Sequence, residues 1–206
     1  MAWGGTAGVV EVEWGFFEGG AKEERTSQVV TSFLSKGMTF LDIGANVGYF
    51  SLLAASVLGS GGKVIAFEPT PTVADRLREN ILLNRLTNVT VIQAAVSDRD
   101  GHAQLFQSAD DPEANSLYGQ PSTGMSLEVA TVTLDDELLR RKIAGVHLIK
   151  IDAEGSELAA LKGARRVLTA EHPAIVMELN PLALETSGTT PDEVLRLLTE
   201  YGYRWE

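Results

Sequence analysis

The sequence contains no cysteine. That absence alone excludes disulfide cross-links, thiolate metal ligands and a cysteine nucleophile. Histidine is nearly as scarce, at three residues, too few for a His-rich metal centre. Positive charge is short as well: 17 Lys plus Arg stand against 28 Asp plus Glu, a net charge of −11. A chain that acidic is repelled by phosphate backbones, so nucleic acid is not an expected partner. No apolar run approaches the ~18–20 residues of a membrane-crossing helix, so no membrane partner is expected either. The opening Met1-Ala-Trp-Gly-Gly lacks a basic stretch followed by an apolar one. No secretory leader is therefore read, and the cytoplasm is the default location. Nothing in the sequence indicates an oligomeric state.

What is present suffices for one domain. The 206 residues are 44% hydrophobic and 22% charged, enough to bury a core and too apolar for wholesale disorder. We read 1–206 as a single domain with an N-terminal arm over 1–36 and a variable segment over 107–126. Short β-rich runs alternate with helical patterns. Strands are expected at 38–43, 63–67, 88–96, 147–151 and 174–179, and helices at 47–58, from Pro71, at 156–168 and from Pro191 to about Tyr201. Thr190-Pro191-Asp192-Glu193 combines an N-cap, a proline at the first helical position and a capping-box glutamate. Such alternation predicts parallel βαβ units in a doubly wound α/β sheet. Two segments break the rhythm. Residues 101–106 and 127–134 look like a strand pair around a long polar stretch, which is either without fixed structure or a functional lid. Tyr203-Arg204-Trp205-Glu206 reads as a strand beginning where the chain stops; either the sheet lacks its final strand or the chain is cut short. In the arm, Val10 to Trp14 alternates like a strand, and Trp3, Trp14, Phe16 and Phe17 are expected to pack on the sheet rather than line a pocket.

The most informative stretch is LDIGANVGYFS. Asp42 ends the first strand, and Gly44-Ala45-Asn46-Val47-Gly48 turns straight into a helix. Amides at a helix start favour an anionic group, and the crevice at the carboxyl ends of an open parallel sheet is where ligands bind. A dinucleotide fingerprint would place glycine at 44, 46 and 49, but the chain has Gly44, Asn46 and Tyr49. A Walker loop is absent. The turn suits a phosphate-free cofactor with a small carboxylate, such as S-adenosylmethionine, and Asn46 is suited to a left-handed conformation. Glu68 ends the second strand in AFEP, with Pro69 stiffening the chain beside it. A carboxylate there can accept hydrogen bonds from both ribose hydroxyls and would repel a 2′-phosphate.

The succession LDIGANVGYFS, VIAFEP, NVTVIQAAVSD, VTLDD, LIKIDAEGSELAALKGA and MELNP resembles the FkbM-type family of S-adenosylmethionine-dependent methyltransferases. The match runs in order from about Glu23 to Tyr203. It implies a Rossmann-like class I methyltransferase fold, here lacking the last antiparallel strand, and O-methylation of a small molecule or sugar. By the same resemblance, Asp42, Gly44, Ala45, Asn46, Gly48, Tyr49, Phe50, Glu68 and Pro69 fall at the cofactor, and 93–97, including Ala95, falls at its adenine. Asn115-Ser116 resembles a turn of the family's variable loop.

KIDAEGSE places Asp152 at the tip of the fourth parallel strand, beside the first, with Glu154 and Glu157 opening the next helix. Methyl transfer from a sulfonium needs acceptor oxygen, methyl carbon and sulfur in line, and a carboxylate beside the acceptor can remove its proton. Asp152 is the first candidate for that base, with Glu154 and Glu178 behind it. Plainer roles compete: Glu154 and Glu157 suit a helix N-terminus, and Asp152 could hold the cofactor's amino group. The same three acids also offer oxygens of the kind Mg²⁺ prefers, but no D-x-D spacing supports a metal ligand set. Asp135-Asp136 reads as the cap of a short helix over 136–141, and His147, His172 and His102 as structural or variable positions. Base methylation is disfavoured, since Asp152-Ala-Glu-Gly stands where an Asn/Asp-Pro-Pro-aromatic would be and cytosine C5 chemistry needs a cysteine. The competing functions are an NAD-type oxidoreductase on a degenerate Rossmann turn and a non-catalytic nucleotide-binding module.

Overall fold

In the computed structural model of the chain, residues 9–14, 21–106, 116–118 and 126–205 are described. The arm contributes β1 (Val9–Trp14) and α1 (Ala21–Phe33). The apolar runs then form β2 (Thr39–Ile43), α2 (Tyr49–Leu58), β3 (Lys63–Phe67), α3 (Pro71–Leu83) and β4 (Val89–Ile92). A side structure follows in β5 (Ala95–Val96), β6 (Gly101–Phe106) and β7 (Ser126–Val132). The chain returns through α4 (Leu134–Arg140), β8 (Val146–Ile151), α5 (Glu157–Lys162), α6 (Arg165–Ala170), β9 (Ala174–Leu179), α7 (Pro181–Thr186), α8 (Pro191–Glu200) and β10 (Arg204–Trp205).

Seven strands order as β10-β1-β9-β8-β2-β3-β4, and every neighbouring pair is parallel. Strands buried on both faces must be apolar on both, which is why TFLDI is buried at all five positions. On one face, Phe40 and Val64 pack with Val30 of α1, with Leu34 just after it, and with Ala54 and Leu58 of α2, and Ala66 packs on Leu77 and Ile81 of α3. On the other, Leu41, Ile43 and Ile149 pack against Leu161, Leu168 and Leu198 of α5, α6 and α8. The fold is therefore the expected doubly wound α/β sheet.

Particular elements depart from the sequence reading. The run 88–96 divides: β4 stays in the large sheet, while β5 crosses to a three-stranded sheet, order β5-β7-β6, in which β6 and β7 are the antiparallel pair foreseen. The helix expected over 156–168 breaks at Gly163, where an added Cβ would lie 1.9 Å from the Ser97 carbonyl oxygen. Thr133, not an aspartate, caps α4 by accepting from the Asp136 amide at 3.2 Å. Asp135 instead reaches the start of α6, taking the Arg166 and Val167 amides at 2.6 and 2.9 Å. The capping box on α8 forms as read, and Asn180 caps the unforeseen α7. The strand at the chain's end is present and parallel, and the large sheet still counts seven because β1 enters between β9 and β10. Trp3, Phe16, Phe17 and the Trp14 side chain lie outside the described residues, as do Asn115 and most of 107–126. Among the described residues, no helix is long and apolar enough to cross a membrane.

Candidate active site

The turn after β2 is built from left-handed residues: Gly44 at φ 77, Asn46 at φ 51 and Gly48 at φ 98, the last serving as N-cap of α2. Asn tolerates that region better than most residues, as anticipated. The turn's amides are spent internally. Gly44 and Ala45 donate to the Phe67 carbonyl at 3.1 and 2.9 Å, and Gly48 donates to that of Ala45 at 2.9 Å. The Asn46 amide donates to Glu68 Oε2 at 3.0 Å. With these four amides committed, the turn keeps few donors for a phosphate. Glu68, only 6% exposed, takes a second amide, that of Thr70, on Oε1 at 2.8 Å. The Thr70 side chain bonds it as well; a carboxylate has about four acceptor positions, so one stays open for a ligand hydroxyl. Burial pushes its carboxyl up despite those amides, and Asp42 adds to the rise.

Beneath the turn lies a charged row. Asp42 is fully buried and accepts from Ser51 Oγ at 2.6 Å, while its Oδ1 has no partner among the described residues. Register places Lys150 of β8 directly opposite Asp42. The Lys150 ammonium sits 3.2 Å from Asp152 Oδ2 and 4.7 Å from the Phe50 ring centroid, a cation–π contact. Burial works to lower the Lys150 ammonium, but Asp152, Asp42 and Glu178 outweigh it and hold the group above its ordinary value. For Asp42, burial raises the carboxyl against the pull of Lys150. Lys150 was not singled out in the sequence, although a lone cation inside the apolar run HLIKI was a visible signal.

After β8, Asp152 donates its amide to the Ile43 carbonyl at 3.0 Å. The chain then passes through Glu154 at φ 44 and Gly155 at φ 95. Glu157 does not merely open a helix; its Oε1 folds back to accept from the Ala153 and Gly155 amides at 3.1 and 3.2 Å. Burial pushes its carboxyl up to about 7. From the segment between β6 and β7, bridged to Phe106, Ser116 Oγ donates to the Glu154 carbonyl at 2.6 Å. Ser156, 3% exposed, keeps a hydroxyl without a partner among the described residues.

These parts meet at one cavity of about 270 Å³ at the carboxyl ends of the strands. Of the residues expected at the cofactor, Gly44, Asn46, Glu68, Pro69, Ala95 and Asp152 line it, as do Glu154 and Glu178. Ser156, Thr70 and Leu117 line it too and were not foreseen. The other expected residues have different surroundings. Asp42 faces Ser51 and Lys150, Ala45 packs with α3, and Gly48 is closed in by Leu77 and Leu52. Phe50 lies under Lys150, and Tyr49 is 55% exposed with its hydroxyl 3.1 Å from Ser27 Oγ. None of the three histidines lines the cavity; His147 Nδ1 accepts the Thr39 amide at 3.1 Å. Among the described residues, no three His, Asp or Glu side chains gather as a metal site, so the carboxylate set weighed for Mg²⁺ is not assembled as one.

Comparison with known proteins agrees with this geometry. The methyltransferase FkbM domain profile matches residues 42–205. The 31-O-demethyl-FK506 methyltransferase FkbM of Streptomyces tacrolimicus is 30% identical over 199 residues, covering 82% of this chain and 74% of its own length. The hexuronic acid methyltransferase AglP of Haloferax volcanii is 28% identical over 160 residues, covering 77% and 60%. Among solved structures, the precorrin-6y C5,15-methyltransferase of Geobacter metallireducens superposes with a TM-score of 0.54 at 19% identity, over 87% of this chain and 72% of that one, a likeness of fold.

Proposed function

The chain belongs to the FkbM family of S-adenosylmethionine-dependent methyltransferases, and on that premise we propose that it methylates a hydroxyl oxygen of a small molecule or sugar. The observation that carries the reading is the shared cavity, which brings Gly44 and Glu68 together with Asp152, Glu154 and Glu178. The residues fit the cofactor: Glu68 has acceptor capacity to spare for a sugar hydroxyl, and the turn after β2 presses no phosphate requirement on the ligand. That committed turn also weighs against an NAD-type ligand, whose pyrophosphate needs free amides.

When bound, S-adenosylmethionine supplies an electrophilic methyl group on a sulfonium. Glu68 would hold a sugar hydroxyl, and Pro69 and Ala95 would contribute apolar lining of the same cavity. Asp152, kept in place by Lys150 at 3.2 Å, would accept the proton of an acceptor hydroxyl. Glu154 and Glu178, on the same lining, orient the acceptor. Such a base contributes roughly 10²–10⁴-fold.

Calorimetry with S-adenosylhomocysteine tests the site, and a methyl-transfer assay tests the chemistry. Glu68→Gln is expected to weaken binding at least tenfold, through loss of a charged acceptor. Asp152→Asn is expected to lower turnover by about 10²-fold or more with the dissociation constant nearly unchanged. Equal losses in binding and turnover would reassign Asp152 to holding the cofactor. No binding of S-adenosylhomocysteine at all would end the proposal.

A further inference from the structure

One buried acid beside the cavity takes no part in holding the cofactor or in moving a proton. The turn from β8 into α5 supplies four lining residues, Asp152, Ala153, Glu154 and Ser156. It passes through Glu154 at φ 44 and Gly155 at φ 95, and a side chain other than glycine's enters that region only at a cost. Such a turn needs outside support, and Glu157 gives it. The residue is 1% exposed, and its Oε1 accepts the Ala153 and Gly155 amides at 3.1 and 3.2 Å, one on each side of Glu154. Ser156 follows at the N-cap of α5 but makes no side-chain cap bond, although serine is a preferred cap. Its hydroxyl, in a residue that lines the cavity, has no partner among the described residues.

Resting on the methyltransferase reading above, we infer that Glu157 is a positioning residue of methyl transfer: it acts through the turn it ties, holding Asp152 and Ser156 at the cavity, and its ionisation loosens that tie. As a neutral acid, Glu157 keeps an oxygen for both amides and places no charge in the interior. As a carboxylate it is a buried ion whose Oε2 has no partner among the described residues, and such an ion is costly to bury. Burial pushes its carboxyl up to about 7, and Asp152 adds to the rise, so both states are populated near neutral pH. The elements around it offer little relief. Lys150 is engaged with Asp152 at 3.2 Å. Tyr118, from the segment between β6 and β7, is a neutral neighbour that feels the Glu157 charge. The α8 helix, packed on α5, buries Val194 and Leu198, and α7 meets Gly155 with the backbone of Ala183. The ion is relieved when the turn opens and water reaches Oε2, which breaks the two amide bonds and displaces Asp152 and Ser156.

Hydrogen exchange on the full chain, read by mass spectrometry over residues 152–157 and corrected for intrinsic rates, compares the parent with Glu157→Gln and Glu157→Ala. The α3 helix serves as the reference for global opening. Glu157→Gln keeps an oxygen for both amides and cannot ionise. Between pH 6 and pH 8, opening of the turn is expected to rise about tenfold in the parent and to stay constant in Glu157→Gln. Glu157→Ala, which leaves both amides unbonded, is expected to open at least about tenfold more than Glu157→Gln at either pH. In a methyl-transfer assay with a pool of methyl hexosides and tritium-labelled donor, turnover is expected to fall about tenfold or more in Glu157→Ala. Glu157→Gln should retain it, and the dissociation constant of S-adenosylhomocysteine should be unchanged in both. A parent that tracks Glu157→Gln from pH 6 to pH 8, or equal protection or equal turnover in the two variants, would overturn the inference and leave the cofactor site standing. Failure of the parent to bind S-adenosylhomocysteine would instead sink the methyltransferase reading.

Discussion

Two turns face each other at the carboxyl ends of β2 and β8, and they solve one problem differently. Each leaves a buried strand, passes through left-handed residues and is tied by a glutamate that accepts two backbone amides. In the first, that glutamate is Glu68, from the tip of the neighbouring strand, and the amides of Gly44, Ala45, Asn46 and Gly48 all find acceptors. In the second it is Glu157, from the helix the turn itself opens, and polar groups remain over: Glu157 Oε2 and Ser156 Oγ have no partner among the described residues. A closed network positions, whereas unspent polar groups are available to a guest. On the proposed function, the first turn would be the fixed wall for the cofactor, and Ser156 of the second, which lines the cavity, would be free to meet the acceptor.

The two turns touch at Gly44, and breaking that contact is expected to have the largest effect. A Cβ there would lie 1.8 Å from the Asp152 carbonyl oxygen, on a backbone already at φ 77. Gly44→Ala should cost about 4 kcal/mol or more, seen as a fall in Tm of roughly 10 °C. Gly155→Ala is the matched change in the second turn. Its Cβ would stand 2.6 Å from the Ala183 carbonyl oxygen at φ 95, and about 2–3 kcal/mol is expected. A smaller loss at Gly44 than at Gly155 would reverse the ranking of rigid and adaptable turn.

Glu157 sharpens the contrast through pH. Its carboxyl titrates near 7 when folded against an ordinary value of 4.5, so the folded state holds the proton more tightly. Its favourable contribution is whole below about pH 4.5 and is lost as pH rises through 7, amounting to up to about 3 kcal/mol. Asp42 and Glu68 are raised as well and act in the same direction. Glu157→Gln keeps an oxygen for the Ala153 and Gly155 amides but removes the charge. Denaturant unfolding should show it about 1–3 kcal/mol more stable than the parent at pH 8, with the gap closing near pH 4.5. The smallest effect is expected at Ser116, whose hydroxyl fastens the Glu154 carbonyl at 2.6 Å. Ser116→Ala should cost about 1 kcal/mol of stability and lower turnover without weakening S-adenosylhomocysteine. An unchanged turnover would separate the segment around Ser116 from the second turn.

Much of the first turn was readable in the sequence. Gly44, Asn46 and Gly48 announce a left-handed turn because few other residues enter that region cheaply. Glu68 stands where a strand must end. The second turn was readable only in part. Asp152 and Glu154 stood out as acids, but the return of Glu157 onto the turn that precedes it, and the hydroxyl of Ser156 in the lining, depend on how α5 packs. Lys150 was passed over because a strand pattern shows that a residue is buried, not what lies opposite it.

By itself, the sequence determined the alternation of strands and helices, the αL positions of the cofactor turn and the capping box at Thr190 and Glu193, all set by interactions within a few residues. Only the tertiary structure decided that Asp42 and Lys150 are neighbours, that β1 enters the sheet between β9 and β10, that Asp135 caps α6 and that Gly163 must yield to Ser97. Each of these joins segments far apart in the chain, and their meeting follows from strand register and close packing, which no local pattern of residues encodes.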